Sequence, residues 1–379
     1  MRRILLHPVL SLLLGFVCVF YAATPTAQTA SPLLNARYPD LVNYFNAFEM
    51  IQAAIFEEVV LTSQSAEAAI GKQLLLESLQ EFARAKTSHY HSSSNHLAML
   101  GPYRVFESRA TPGLIAMIRQ QHDTSQANLA LANIAVLPSE VVAVLNRGRD
   151  FISGLTEIYL NDDILDKHLA VDELLADYLS NDAHSVAALP KSSDLLSKHA
   201  YAYAFRVGFP QLSGLTWASQ WLQLASLEIM LMASSDRALD VGIATATDIY
   251  VEKIARLHNS FMSLPGDIPS MPVIAPNVYS FHPGAAYVID NLSMLKVVIG
   301  DILTHPGVTD HEAELKQMLA RFTDKNQYLE DEIDYLTFVL RGGIFNQGGP
   351  AFGGMTESER NRSRDSLENP HISRFPMSP

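Results

Sequence analysis

The chain reads as an all-α protein, a multi-helix bundle of about ten helices around one central buried helix, with a flexible C-terminal tail. Three observations lead there. Apolar residues recur at steps of three and four, and the step of two that marks a strand is missing. Clusters of β-branched residues are few. The stretch 212–233, LSGLTWASQWLQLASLEIMLMA, is apolar on nearly every side, as a helix buried all round must be. Gln220, Gln223 and Glu228 favour a protein core over lipid for it, because each is costly in lipid without a partner. At helical spacing Trp217, Trp221, Leu224, Glu228 and Leu231 share one stripe. A carboxylate in line with both tryptophans makes Trp217, Trp221 and Glu228 a candidate ligand pocket. The competing reading of Glu228 is an ion pair with Arg206, Arg237 or Lys253.

The elements can be taken in order. Arg2 and Arg3 precede an apolar run over 4–23, followed by a Thr/Ala/Pro/Gln stretch over 24–30. Residues 1–30 therefore read as a signal peptide or, if uncleaved, an N-terminal membrane anchor through 4–23. That places the protein outside the cytoplasm, periplasmic or associated with the cell envelope. Removing 1–30 takes away two arginines and no acids, so the net charge of −13 becomes −15. It also removes Cys18, the only cysteine, leaving no disulfide, thiolate nucleophile or cysteine metal ligand.

Residues 31–342 form the all-α domain, as one bundle or two packed bundles; 379 residues that are 48% hydrophobic suffice for either. Pro39 opens a helix to about residue 61, with Leu41, Phe45, Phe48, Ile51 or Gln52, Ile55 and Val59 as its stripe. Further helices are expected over 65–86, within 111–138, and over 139–160, 163–179, 193–206, 212–233 and 236–261. A proline-rich stretch, 264–283, is expected to be irregular and to serve as a boundary or lid. Helices over 284–304, 309–321 and 324–340 close the domain. Gly342-Gly343 ends the last of them, and 343–379 reads as a disordered tail.

Two places carry metal-type side chains. The loop 87–95 and its surroundings hold His89, His91 and His96, and imidazole is the commonest ligand for a transition metal ion. The helix from 284 sets Asp290, Asp301 and His305 on roughly one face, with Asp301 and His305 one turn apart. Asp162-Asp163-Ile-Leu-Asp166 spells DDxxD, which in an all-α chain resembles the aspartate-rich motif of class I terpene synthases. That resemblance implies magnesium held against a diphosphate. The family's second motif is matched only at Asp290 and Ser293.

No HExxH string, nucleophile elbow or phosphate loop is present. The acidic balance and the lack of basic runs oppose binding to nucleic acid. The expected function is a non-catalytic accessory protein of the cell envelope that binds a small ligand, an ion or an envelope protein partner. The alternative is a metal-binding protein or metal-dependent enzyme using His89, His91 and His96, or Asp290, Asp301 and His305.

Overall fold

A computed structural model describes residues 31–87, 101–256 and 268–340. Among the described residues the fold is all-α: sixteen α-helices, no strand, and one isolated bridge between Lys191 and Leu329. The helices are α1 (Pro32–Arg37), α2 (Pro39–Gln64), α3 (Ala69–Thr87), α4 (Arg104–Ile118), α5 (Thr124–Ala132), α6 (Ser139–Leu160), α7 (Lys167–Leu179) and α8 (Asp194–Ser197). Then follow α9 (Ala204–Gly208), α10 (Pro210–Met232), α11 (Asp236–Arg256), α12 (Met271–Ile274), α13 (Pro276–Phe281), α14 (Pro283–Thr304), α15 (His311–Thr323) and α16 (Glu332–Leu340). The segment 1–30, the loop with His89, His91 and His96, Gly342-Gly343 and the tail 343–379 lie outside the described residues.

Two helices are buried on all faces. In α10 every residue from Gly214 to Met230 is buried, and in α14 every residue from Ala285 to Thr304. Helix α10 packs on α2, α6, α11 and α13, while α14 packs on α2, α6, α9 and α15. Neither they nor any other described helix is long and apolar enough to cross a membrane. Helices α6 and α14 meet closely at Gly148, where a Cβ would stand 2.5 Å from Leu292 Cδ1. Leu292 is itself buried, so only a hydrogen atom fits there.

The prolines explain where many helices begin. Pro32, Pro39, Pro210, Pro276 and Pro283 occupy the first helical turn, where a missing N–H costs nothing. The next amides of such a turn still need acceptors. In this fold, carboxylates from distant helices supply them. Glu107 of α4 accepts from Gln211 and Leu212 at the start of α10 (2.6 and 2.9 Å). Glu228 of α10 accepts from Asn277 and Val278 at the start of α13 (3.1 Å to its Oε2 from each). Asp290 of α14 takes the Met271 amide of α12 on both oxygens (3.0 and 3.1 Å). Asp301, also of α14, accepts from Tyr203 and Phe205 around the start of α9 (3.1 and 2.8 Å). Glu157 of α6 accepts from Ser31 and Leu33 at α1, and Glu330 from Ser193 just before α8. Negative charge at a helix N-terminus is favourable, and these are charge-assisted bonds.

Three segments differ from the sequence expectation, each for a tertiary reason. The helix expected over 193–206 is broken into α8 and α9. Tyr203 takes a left-handed conformation (φ 72°) between them, with its amide on Asp301 and the Arg206 guanidinium 4.0 Å from its ring centroid. The proline-rich stretch is largely helical in its described part. It forms α12 and α13, whose Met271, Val273, Ile274 and Val278 are buried because Asp290 and Glu228 fasten their ends in the core. The helix expected from 324 starts only at Glu332. The carbonyls of Asp324 and Gln327 turn to the buried Lys191 ammonium, and the Asp324 carboxylate takes the Asn326 and Gln327 amides (2.8 and 3.0 Å).

Burial raises the Glu107 pKa from 4.5 to about 7, against the two amides that favour the anion; its Oε2 has no partner. Between those values the folded chain keeps a proton that the unfolded chain has released. Stability present below about pH 4.5 is therefore lost as the pH rises to about 7. Glu107→Gln keeps an oxygen for both amides and cannot ionise. Urea denaturation at pH 4.5 and pH 8 is expected to show the wild type losing ground to this variant by about 1–3 kcal/mol across that range. A constant difference at both pH values would refute the assignment.

Candidate ligand cleft

The structure separates the residues that the sequence grouped. Trp217 and Trp221 are buried beneath the Lys253 ammonium, which lies 5.2 and 4.9 Å from their ring centroids. Glu228 is fully buried, and its partners are the start of α13 and the Asn277 side chain (2.6 Å), in place of the expected cation. Burial raises its pKa, with those donors opposing. The stripe is thus a packed seam with a helix clamp at its end.

Asp290, Asp301 and His305 do not form one centre. Asp290 is engaged with Met271 and with the Tyr335 hydroxyl, and burial brings its pKa up to about 7. Asp301 sits between Arg206 (3.1 Å), His199 (3.5 Å) and the two amides at α9. His305 turns away at the end of α14. Its Nδ1 accepts from the Gly307 amide, its ring lies 5.2 Å from that of Tyr201, and burial lowers its pKa. Eleven residues of helix, about 16 Å, separate Asp290 from Asp301, too far to share an ion. Among the described residues no group of three or more His, Cys, Asp or Glu side chains could hold a metal ion. The DDxxD string lies at the α6–α7 turn. Asp166 caps α7 through the Leu169 amide (2.9 Å), and Asp162 and Asp163 are exposed.

The site-like feature of the structure is elsewhere. A cleft enclosing about 540 Å³, mouth included, opens between α1, α2, α5, α6 and α10. Leu34, Phe45 and Ile152 give it apolar walls, and Glu49, Arg149 and Asp150 bring charge to it. Helix α2 places Phe45 and Glu49 one turn apart on the same face, and α6 places Arg149 and Asp150 just after the close contact at Gly148. Asn46 ties the cleft's rim to the α5 end by donating to the His122 carbonyl and the Thr124 hydroxyl, both at 3.2 Å.

Hydrogen bonding singles out Glu49 among the buried acids. Five acidic side chains are buried among the described residues: Glu49, Glu107, Glu228, Asp290 and Asp301. The last four accept backbone amides; Glu49, only 7% exposed, has no hydrogen bond and no ion pair within 4 Å among the described residues. Lys296 of α14 attracts it from a distance, but its ammonium lies 4.9 Å from the Phe48 ring centroid, and burial pushes its pKa down. Arg149 is 3.7 Å from Asp150, whose pKa burial raises. On the α5 side, Asn128 Oδ1 is buried in the wall without a donor.

None of Glu49, Arg149 and Asp150 was singled out by the sequence. The available signal was a carboxylate within the α2 stripe, one turn beyond Phe45 and three residues before Gln52. Gln223, noted only as unfavourable in lipid, also lines the cleft. No family model, curated protein or solved structure matches the chain.

Asp301 carries the largest structural duty among the sequence-marked residues. Asp301→Ala removes the acceptor of two amides and the carboxylate facing Arg206 and His199 in the interior. The expected cost is about 3–5 kcal/mol, read as a lower urea midpoint. A loss below ~1 kcal/mol would show that this clamp is dispensable.

Proposed function

We propose that the protein is a non-catalytic binding protein that takes a small molecule in the α2–α6–α10 cleft. The observation that carries this reading is Glu49, a largely buried carboxylate in the lining of the cleft with no hydrogen-bond donor or ion-pair partner within 4 Å among the described residues. The other buried acids among the described residues accept backbone amides, and an exception at the wall of a cleft marks a place for an occupant. The helices then serve as a bundle around α10 that holds the cleft walls, the usual way helical proteins build pockets. We read 1–30 as an export signal or anchor, which places the binding protein at the cell envelope, where an envelope protein could collect or deliver its ligand.

Ser153 lines the cleft from α6 and is half-buried, so a larger side chain there fills the cleft without entering the core. A panel of amines, acids, sugars and alcohols screened by ligand-observed NMR is expected to yield compounds that bind the full chain and lose binding in Ser153→Phe. Compounds that bind both chains equally, or none that bind the wild type, would remove the cleft as the site. For localisation, fractionation of the native cells is expected to place the chain in the envelope or periplasmic fraction. Intact mass then separates cleavage near residue 30 from anchoring. A chain recovered only from the cytosol would overturn the export reading.

A further inference from the structure

We infer that the cleft receives the protonated amine of a small organic ligand, and that Glu49 is the group that holds it. The inference rests on the cleft being a ligand site and adds the chemical class of the ligand. The Glu49 side chain is largely buried while its carboxylate oxygens stay open to the cleft, where N–H or O–H donors of an occupant would stabilise the anion. The described residues supply none to Glu49, although every other buried acid receives backbone amides. The nearby cations are otherwise placed. Arg149 faces Asp150 at 3.7 Å, and Lys296 lies over the Phe48 ring, driven by burial toward its neutral form.

The cleft therefore has an acceptor left over. Asn128 Oδ1 is a second one, buried in the same lining without a donor. Unused acceptors call for a donor-rich occupant, and an ammonium group carries three donors and no acceptor. An anion would meet two carboxylates in the lining, Glu49 and Asp150, against the single guanidinium of Arg149, which itself faces Asp150 at 3.7 Å. The remaining walls suit a hydrocarbon body: Leu34 and Ile152 are aliphatic, and Phe45 offers a ring one helical turn from Glu49.

Three probes of one size separate the possibilities: benzylamine, benzyl alcohol and benzoate, titrated at pH 7 into the full chain, Glu49→Gln and Ser153→Phe. Thermal melts establish first that both variants are folded. Benzylamine is expected to bind the wild type, with binding weakened on the order of tenfold or more by Glu49→Gln and abolished by Ser153→Phe. The alcohol and the acid are expected not to bind. If the alcohol or benzoate binds as well as the amine and Ser153→Phe abolishes it, the cleft stands as a ligand site and the amine inference falls. It falls also if Glu49→Gln leaves benzylamine affinity unchanged. If no probe binds the wild type, the amine inference is overturned, and the panel screen alone decides the cleft.

Discussion

A carboxylate buried at the N-terminus of another helix is the interaction on which this structure depends. Helices α12 and α13 have four and six residues, too short to hold themselves in water. They persist because Asp290 and Glu228 reach out of the long helices α14 and α10 and satisfy their first amides inside the core. The same device fixes α9 to α14 through Asp301 and α10 to α4 through Glu107. Proline at the first position sharpens it by fixing the backbone angle and removing one amide that would need a partner. Apolar packing supplies most of the burial energy, and the carboxylates decide which end of each short helix goes where.

Glu49 stands out against that background. It shares the burial of the clamps and none of their partners, and it lines a cleft between α2 and the neighbouring α1, α5, α6 and α10. A fold that satisfies its other buried acids with backbone donors leaves this one facing a cavity. Unspent hydrogen-bonding capacity of this kind is a common mark of a binding site, since stability is given up locally for something that arrives later.

The sequence made the fold class and many single helices legible, and it did so where local signals suffice. Helix α6 begins where Pro138 and Ser139 suggest, and the all-round apolar text of 212–232 falls within α10. Legibility ended where the deciding partner was distant. No local pattern around 193–206 reveals that Asp301, some hundred residues on, will take the Tyr203 amide and break a helix. The same holds for the delayed start of α16, which Lys191 brings about. For function the difficulty was reversed. Glu228, Asp290 and Asp301 drew attention as acids on apolar helices, and each is committed to a structural bond. Glu49 looks the same in one dimension, and only the absence of hydrogen-bond donors around it in space tells it apart.

The contact at Gly148 gives the cleft a dependence on residues that never touch its contents. The hydrogen of Gly148 lets α6 lie flush against Leu292 of α14, and the two residues that follow it are Arg149 and Asp150 on the cleft wall. The back of α6 is thus the spacer that sets how wide the front opens. A single methyl group there would act as a shim, shifting the wall that carries both charges while leaving each lining side chain chemically intact. Gape and chemistry are separable in this molecule, and variation at the rear of one helix can tune the first without altering the second.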